Sequence, residues 1–236
     1  MDTQQNYRKH AIAAGIFFII ATAFLFVGEA FYSPGLMPPD ILAKAAGQET
    51  QITFGLLIEF ACVMSIPLVA IALYPVLRKV SAVLAIGYVG FRLFEAAIFT
   101  SMEINKMFVL ALSKNLATHP TADVATLEAL SQTLISGGAL SGISGTFYNL
   151  VFIIGMLMLN WMLWKSRLVP RWISVWGIIS ALVLGSLAIA VLFTSISDTL
   201  AIALIAPLAI QEMVLALWFI FKGFDSDALN QIEAAG

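Results

Sequence analysis

Six apolar stretches, separated by short polar connections, make up most of the chain. They fall at about 11–31, 52–74, 81–102, 143–164, 172–194 and 200–221. Each has about 20 residues or more, and because a helix rises about 1.5 Å per residue, each can cross a hydrocarbon core of roughly 30 Å. The pattern therefore predicts an all-α protein with one transmembrane domain, residues 1–236, built as a helical bundle of six spans.

Proline and glycine mark the connections that follow the first two spans. Ser33-Pro34-Gly35 and Pro38-Pro39 are expected to break the first helix, and Asp40 is then placed to cap a short helix. Tyr74-Pro75 is expected to end the second span. Because the third span begins within a few residues, a tight helical hairpin is predicted there.

The segment 103–142 is the one connection long enough to hold structure of its own. Val124, Leu127, Leu130 and Leu134 recur in it at spacings of three and four residues, which is typical of an amphipathic helix. We expect this short helix to lie across the outer mouth of the bundle, and a lid that opens and closes is the alternative.

Small residues follow this predicted helix. Gly138 and Gly142 have the GxxxG spacing, which lets transmembrane helices approach closely. Packing inside the bundle is one use of this face, and a homo-oligomer formed through Gly138 and Gly142 is the other.

Positive charge is distributed unevenly between the connections. When the connections are numbered alternately, eight basic residues share one side, only Lys44, Lys106 and Lys114 lie on the other, and Arg92 falls inside a span. The eight are Arg8, Lys9, Arg78, Lys79, Lys165, Arg167, Arg171 and Lys222. Since cytoplasmic connections carry the excess of Lys and Arg, both termini are predicted to be cytoplasmic.

Composition excludes several functional classes. The chain is 61% hydrophobic and 11% charged, and its net charge of −2 without basic clusters argues against nucleic acid as a partner. The single cysteine, Cys62, excludes an internal disulfide, and neither His10 nor His119 falls in a span. We therefore expect no metal site and no cofactor, and the lipid bilayer as the main partner.

Five charged residues fall within the predicted spans. A charge in the hydrocarbon core costs roughly 2.5–3.5 kcal/mol on insertion scales and seldom faces lipid, so these side chains are expected to point inward. They are Glu29, Glu59, Arg92, Glu95 and Glu212.

Arg92 and Glu95 share a helix face with Tyr88, because residues three and four apart are neighbours on a helix. Asn149, near the outer end of the fourth span, is expected to add a hydrogen-bonding group. Together these residues predict a polar core that is open to the outside, in which Glu59, Glu95 and Glu212 are the candidate partners of Arg92.

Four glutamates against one arginine leave a surplus of negative charge in this core. Carboxylates in such a setting carry protons, hold a cation, or bind a small polar or cationic ligand. A buried ion-pair network that only fixes helix packing is the alternative.

Three functional classes stay open. The first is binding or transport of small molecules or ions, and the second is a structural or accessory membrane subunit. The third is an intramembrane enzyme that acts on a lipid or other apolar substrate with a buried glutamate as the acid or the base. This class is the least favoured, because no serine, cysteine or histidine is spaced as a convincing nucleophile–base pair.

Four sequence motifs are shared with known membrane proteins. They are Tyr74-Pro75-Val76-Leu77-Arg78, Gly87-Tyr88-Val89-Gly90-Phe91-Arg92 with Glu95, Pro170-Arg171-Trp172-Ile173-Ser174-Val175-Trp176-Gly177, and Gln211-Glu212 through Lys222-Gly223. In these motifs the chain resembles a family of bacterial six-helix membrane proteins known as a domain of unknown function. The resemblance runs over nearly the whole chain and implies six spans in the bacterial cytoplasmic (inner) membrane, but no substrate and no catalytic residue.

Overall fold

A computed structural model describes residues 3–118, 123–135 and 143–234, and these residues are almost entirely helical. Six helices in the described part are long and apolar enough to cross a membrane, so the predicted all-α class with six spans is confirmed. The helices are α1 (Thr3–Leu36), α2 (Ile41–Gly47), α3 (Glu49–Val80), α4 (Ala82–Thr118), α5 (Val124–Ile135), α6 (Ile143–Ser166), α7 (Arg171–Ala190), α8 (Asp198–Phe221) and α9 (Ser226–Ala234).

The six long helices form a closed ring in chain order. α1 packs against α3, α3 against α4, α4 against α6, α6 against α7, α7 against α8, and α8 returns to α1. Because neighbours in the chain are neighbours in space, side chains on the inner faces of all six helices meet inside the ring. Any polar core of the bundle has to lie there, away from lipid.

Two apolar clusters lie toward opposite ends of the ring. At the end that holds the α3–α4 and α6–α7 turns, which we call the basic end, the cluster includes Phe18, Leu73, Met162 and Phe219. At the other end, which we call the α5 end, Leu36, Ile41, Ala45, Ile52, Val109 and Leu110 form the second cluster. The space between the two clusters is therefore bounded by apolar side chains on both sides.

Prolines near the helix ends are tolerated rather than disruptive. The predicted break of the first helix at Ser33-Pro34-Gly35 and Pro38-Pro39 is confirmed, because α1 ends at Leu36, although Pro34 itself lies inside the helix. The predicted end at Pro75 is wrong, since α3 continues to Val80. A proline removes only one backbone donor, and transmembrane helices accommodate that loss widely. The predicted tight hairpin between the second and third spans is confirmed, because Ser81 alone separates α3 from α4.

The third long helix extends well beyond the predicted span. α4 continues to Thr118, so residues 103–118, predicted as part of a connection, form its last turns. No glycine or proline occurs between Phe91 and Thr118, so nothing in the sequence ends the helix earlier. Lys106 and Lys114 consequently lie on a long helix and not in a loop.

The short helix α5 is present where the apolar stripe predicts it, and it contacts α2 and α4. Its Glu128 carboxylate accepts hydrogen bonds from the Ile41 and Leu42 backbone N–H groups, at 2.6 and 3.1 Å. The predicted cap of α2 is corrected here, because Asp40 has a left-handed φ of 59° and its side chain makes no capping bond. Glu128 of α5 thus caps the N-terminus of α2 in place of Asp40, and this contact joins the two helices.

Two glycines set the distance between α1 and α3. A Cβ atom on Gly28 would lie 2.5 Å from Glu59 Cγ, and one on Gly55 would lie 2.8 Å from the Gly28 carbonyl oxygen. Only glycine permits this approach, which places Glu59 directly against the α1 backbone. The predicted GxxxG contact of Gly138 and Gly142 lies outside the described residues, as does His119.

Candidate functional site

The buried charged residues of the spans lie in two clusters at different depths. The lysine cluster, nearer the α5 end, consists of Tyr32, Glu59, Glu103 and Lys106. The arginine cluster lies further toward the basic end and consists of Thr22, Tyr88, Arg92, Glu95, Tyr148 and Glu212.

The lysine cluster is a network across three helices in which Glu103 Oε2 alone lacks a hydrogen-bond partner among the described residues. The Lys106 ammonium donates to Glu59 Oε2 at 2.6 Å and to Glu103 Oε1 at 2.7 Å. The Tyr32 hydroxyl donates to Glu59 Oε1 at 3.1 Å, and Lys106 Nζ lies 3.9 Å from the centre of the Tyr32 ring. One cation therefore holds α1, α3 and α4 together at this depth.

This network corrects the predicted role of Glu59. Its carboxylate is completely buried but pairs with Lys106 and not with Arg92. Sequence reasoning missed Glu103 and Lys106 because it placed both in a connection. Their i,i+3 spacing on a stretch without a helix breaker is the signal that would have identified them.

The arginine cluster is built around one intrahelical ion pair. Arg92 Nη1 donates to Glu95 Oε2 at 2.8 Å, and the two side chains are 2% and 1% exposed. The Tyr148 hydroxyl reaches Glu95 Oε1 from α6 at 3.4 Å, and the Thr22 hydroxyl on α1 donates to Glu212 Oε2 on α8 at 3.2 Å. Four helices therefore contribute side chains, but the bonds between helices are long.

Aromatic rings surround the guanidinium. Arg92 Cζ lies 5.6 Å from the centre of the Phe152 ring and 6.0 Å from that of Tyr88. Gly155 faces the arginine from α6, where a Cβ atom would lie 3.6 Å from Arg92 Cδ, so a small residue provides the room for the side chain. Cation–π contacts stabilise a desolvated guanidinium by up to about 2 kcal/mol.

Several polar atoms in and beside this cluster have no hydrogen-bond partner among the described residues. They are the Tyr88 hydroxyl, Arg92 Nε and the Thr146 hydroxyl, and all three belong to side chains that are buried. An unsatisfied buried donor costs roughly 1–3 kcal/mol, so native structures rarely keep such groups without a purpose. The arginine cluster is the less satisfied of the two.

Of the remaining predicted residues, two are buried and one is exposed. Tyr88 lies in the cluster and Asn149 is buried on α6, next in sequence to Tyr148. Glu29 is exposed on α1, so its predicted inward orientation is wrong. Its position near the end of a span lets the carboxylate reach the polar interface.

The predicted opening to the outside is also wrong. Glu59, Arg92, Glu95 and Glu212 are all between 0% and 8% exposed. The apolar cluster of the α5 end packs against Tyr32, whose hydroxyl bonds to Glu59, and so covers the lysine cluster on that side. In this structure the charged side chains of both clusters are at most 13% exposed.

Residues 13–223 match the family described as a domain of unknown function, DUF4386. The chain belongs to that family. The matched range contains every residue of both clusters, which are therefore part of the family region and not of an appended segment. No curated protein matches the chain. No solved structure matches it either.

Within the described residues, the DUF4386 region contains no group of three or more His, Cys, Asp or Glu side chains arranged to hold a metal ion. Three of its four buried glutamates are ion-paired: Glu59 and Glu103 with Lys106, and Glu95 with Arg92. Glu212 is the exception, since it makes no ion pair with any described residue and accepts its one hydrogen bond from Thr22. The chemistry that this arrangement offers is carboxylate chemistry: acceptance of a proton, a monovalent cation or an ammonium group.

Proposed function

We propose that this protein binds a small cationic or polar ligand, or an ion, in the arginine cluster and transports it across the membrane. The observation that carries the proposal is Glu212, a buried carboxylate with one 3.2 Å hydrogen bond and no ion pair among the described residues. Charge in the hydrocarbon region is costly unless it is neutralised. A proton or a bound cation at Glu212 supplies that neutralisation.

The arginine cluster supports binding better than it supports packing. Arg92 and Glu95 belong to the same helix, so their ion pair cannot by itself fix one helix against another. The contacts that do cross between helices, Tyr148 to Glu95 and Thr22 to Glu212, are long hydrogen bonds of 3.4 and 3.2 Å. A ligand between α1, α4, α6 and α8 would have donors and acceptors to bind on several sides.

Polar side chains continue from Glu212 toward the basic end. Gln211 donates to the Ile173 carbonyl at 3.2 Å and to Asn160 Oδ1 at 3.4 Å, and the Ser174 hydroxyl has no partner among the described residues. These groups would provide successive polar contacts for a ligand that leaves the arginine cluster. Because apolar clusters bound the site at both ends, exchange with water requires the helices to move.

The lysine cluster favours a second candidate function, that of a structural membrane subunit. Lys106 bonds to Glu59 on a different helix, and this contact does fix α3 against α4. If the arginine cluster serves the same purpose, its carboxylates need no ligand. The two functions make opposite predictions for Glu212.

The deciding measurement is thermal stability of the purified protein in detergent, from about pH 5 to about pH 8, with sodium, calcium and a panel of small amines. A ligand that prefers the folded state must raise the unfolding midpoint. We expect the midpoint of the parent protein to respond to pH or to one of these cations, and the response to disappear in Glu212→Gln and Glu95→Gln.

Glu29→Gln is the matched control, because Glu29 is also a glutamate within a span but is exposed. It should keep the full response of the parent. A parent midpoint that no cation and no pH change alters, with Glu212→Gln neutral or stabilising, would favour the structural subunit.

We further propose that the protein lies in a bacterial cytoplasmic membrane with both termini in the cytoplasm, as the eight basic residues at one end suggest. Cysteines placed beside Lys114 should react with an impermeant reagent in intact cells, in a protein whose Cys62 has been replaced. Cysteines beside Lys79 or Arg167 should not react. Labelling of the Arg167 position from outside would reverse the orientation.

A further inference from the structure

A cavity at the basic end is separate from both charged clusters. It has a volume of about 670 Å³ and lies where the α6–α7 turn meets the α8–α9 turn. The Asp225 N–H donates to the Leu168 carbonyl at 3.0 Å and joins the two turns. The side chains that line it include Arg167, Arg171, Trp218, Lys222, Phe224 and Asp225.

The charges that line this cavity are mostly positive and unpaired. Arg167, Arg171 and Lys222 are exposed, and none makes an ion pair with a described acidic residue. The one carboxylate in the lining, Asp225, accepts a hydrogen bond from the Ala228 N–H at 2.9 Å, so it serves as the cap of α9. The cavity lining therefore carries three cations against one carboxylate, and none of the three cations is in an ion pair within the described residues.

Arg8 offsets a second source of negative potential beside the cavity, the carbonyl end of α8. Its guanidinium donates to the Phe219, Ile220 and Phe221 carbonyls at 3.0, 2.6 and 3.2 Å, and so satisfies the partially negative end of α8. The same side chain lies against Gly223, where a Cβ atom would be 2.9 Å from Arg8 Nη1. Gly223 has a φ of 76°, so glycine is required there for the backbone conformation as well.

Tryptophans place the cavity at the level of the membrane interface. Trp161 and Trp164 lie at the end of α6, and Trp172 and Trp176 at the start of α7, with ring centres 5.2 and 6.2 Å apart within each pair. Arg171 Cζ lies 5.3 Å from the centre of the Trp164 ring. Tryptophan rings concentrate at the depth of the lipid headgroups, where phosphate groups are abundant.

We infer that this cavity binds a phosphate group, and that the phosphate belongs to the headgroup of an anionic phospholipid. The three cations neutralise the phosphate and the charged headgroup. Trp218 and Phe224 contact the apolar part of the lipid where it enters the bilayer. Arg167 directly follows α6 and has the left-handed conformation that commonly ends a helix, with a φ of 58° and a backbone bond from its N–H to the Leu163 carbonyl at 3.0 Å.

The test uses the purified full chain in a neutral detergent. Short-chain phosphatidylglycerol, short-chain phosphatidylcholine and inorganic phosphate are added separately, and lipid binding is followed by native mass spectrometry and by the unfolding midpoint. The parent should bind phosphatidylglycerol with a raised midpoint and show a much weaker response to phosphatidylcholine.

The triple variant Arg167→Gln/Arg171→Gln/Lys222→Gln should lose the preference for phosphatidylglycerol over phosphatidylcholine. Its affinity for phosphatidylglycerol should fall roughly fivefold for each charge removed. Its matched control, Lys9→Gln/Arg78→Gln/Lys165→Gln, removes the same charge from exposed residues of the same end that do not line the cavity. The control should bind as the parent does. If the triple variant does not fold, the single variants Arg171→Gln and Lys222→Gln should each show the roughly fivefold loss.

Three results would overturn the inference. Equal responses to phosphatidylglycerol and phosphatidylcholine would exclude recognition of an anionic headgroup. Equal losses in the two triple variants would show attraction by the whole basic end and not by the cavity. Inorganic phosphate that reproduces the midpoint shift at the same concentration would exclude a lipid as the source of the phosphate.

Discussion

Lys106 on α4 and Glu59 on α3 form an ion pair across the helix interface, with 2.6 Å between Nζ and Oε2. The two side chains are 13% and 0% exposed, so the pair is almost entirely shielded from solvent. Lys114 and Glu49 join the same two helices nearer the α5 end, but those side chains are 53% and 47% exposed. The chain thus contains a buried and an exposed version of the same contact.

The comparison predicts unequal effects of removing the two lysines. Lys106→Met leaves Glu59 and Glu103 buried without their cation and should lower the free energy of unfolding by about 3–5 kcal/mol. Lys114→Met should lower it by at most about 1 kcal/mol, because solvent screens an exposed pair. Chemical unfolding in detergent measures both values.

Glu59→Gln in the Lys106→Met background provides the control, since it removes one uncompensated charge and should recover part of the loss. Equal, small effects of the two lysine substitutions would mean that the buried network does not hold α3 against α4.

Arg92 is expected to be as important for stability as Lys106. Arg92→Ala leaves the 1% exposed Glu95 without its partner and should cost about 3–5 kcal/mol. The double variant Arg92→Ala/Glu95→Gln also removes the unpaired carboxylate charge of Glu95 and should be more stable than Arg92→Ala alone. Thermal unfolding in detergent follows both proteins, and an Arg92→Ala protein as stable as the parent would contradict a desolvated guanidinium.

The close approach of α1 and α3 predicts that Gly28→Ala is destabilising. The new methyl group would lie 2.5 Å from Glu59 Cγ and 2.9 Å from the Gly55 carbonyl oxygen, so the helices must move apart at a cost of roughly 1–3 kcal/mol. Gly90→Ala on α4 is the control, because nothing lies within 4 Å of its Cβ position. That substitution should be neutral or stabilising by up to about 1 kcal/mol, since alanine favours helix over glycine.

The contacts of Glu233 predict that the docking of α9 depends on pH. Hydrogen bonds from Lys79 and Tyr7 lower the pKa of Glu233 below its usual value of 4.5. A carboxylate with a lowered pKa stabilises the folded arrangement above its unfolded pKa, and this contribution is lost as the pH falls through the folded pKa. The docking of α9 against α1 and α3 should therefore weaken only in acid, below the usual carboxylate range.

Amide hydrogen exchange of α9, expressed as protection relative to the unfolded chain, measures this weakening from about pH 6 to about pH 3. The Glu233→Gln protein should show lower protection at the upper end of the range and a smaller decrease on acidification. Asp225, which caps α9, is present in both proteins, so the difference reports Glu233. Identical profiles would show that the contact with Lys79 and Tyr7 does not hold the helix.

The amino-acid sequence alone determined the class of the protein and the position of its spans. Each apolar stretch is long enough to cross a bilayer. Because lipid offers no hydrogen bonds to the backbone, such a stretch has to form a helix, in which the backbone groups bond to each other. Arg92, Glu95 and Glu212 could be predicted to face inward for the same reason, because lipid does not solvate charge. The stripe of Val124, Leu127, Leu130 and Leu134 likewise predicted α5.

Only the tertiary structure decided which charges meet. Glu59 was a candidate partner of Arg92, but the crossing of α1 and α3 at Gly28 and Gly55 holds it at the depth of Lys106. The extension of α4 brought Glu103 and Lys106 into the bundle, and the ring placed Glu29 on its exposed surface. Hydropathy reports how deep a residue lies along a helix, but the partner of a buried charge depends on the rotation and the spacing of neighbouring helices, which many distant contacts set together.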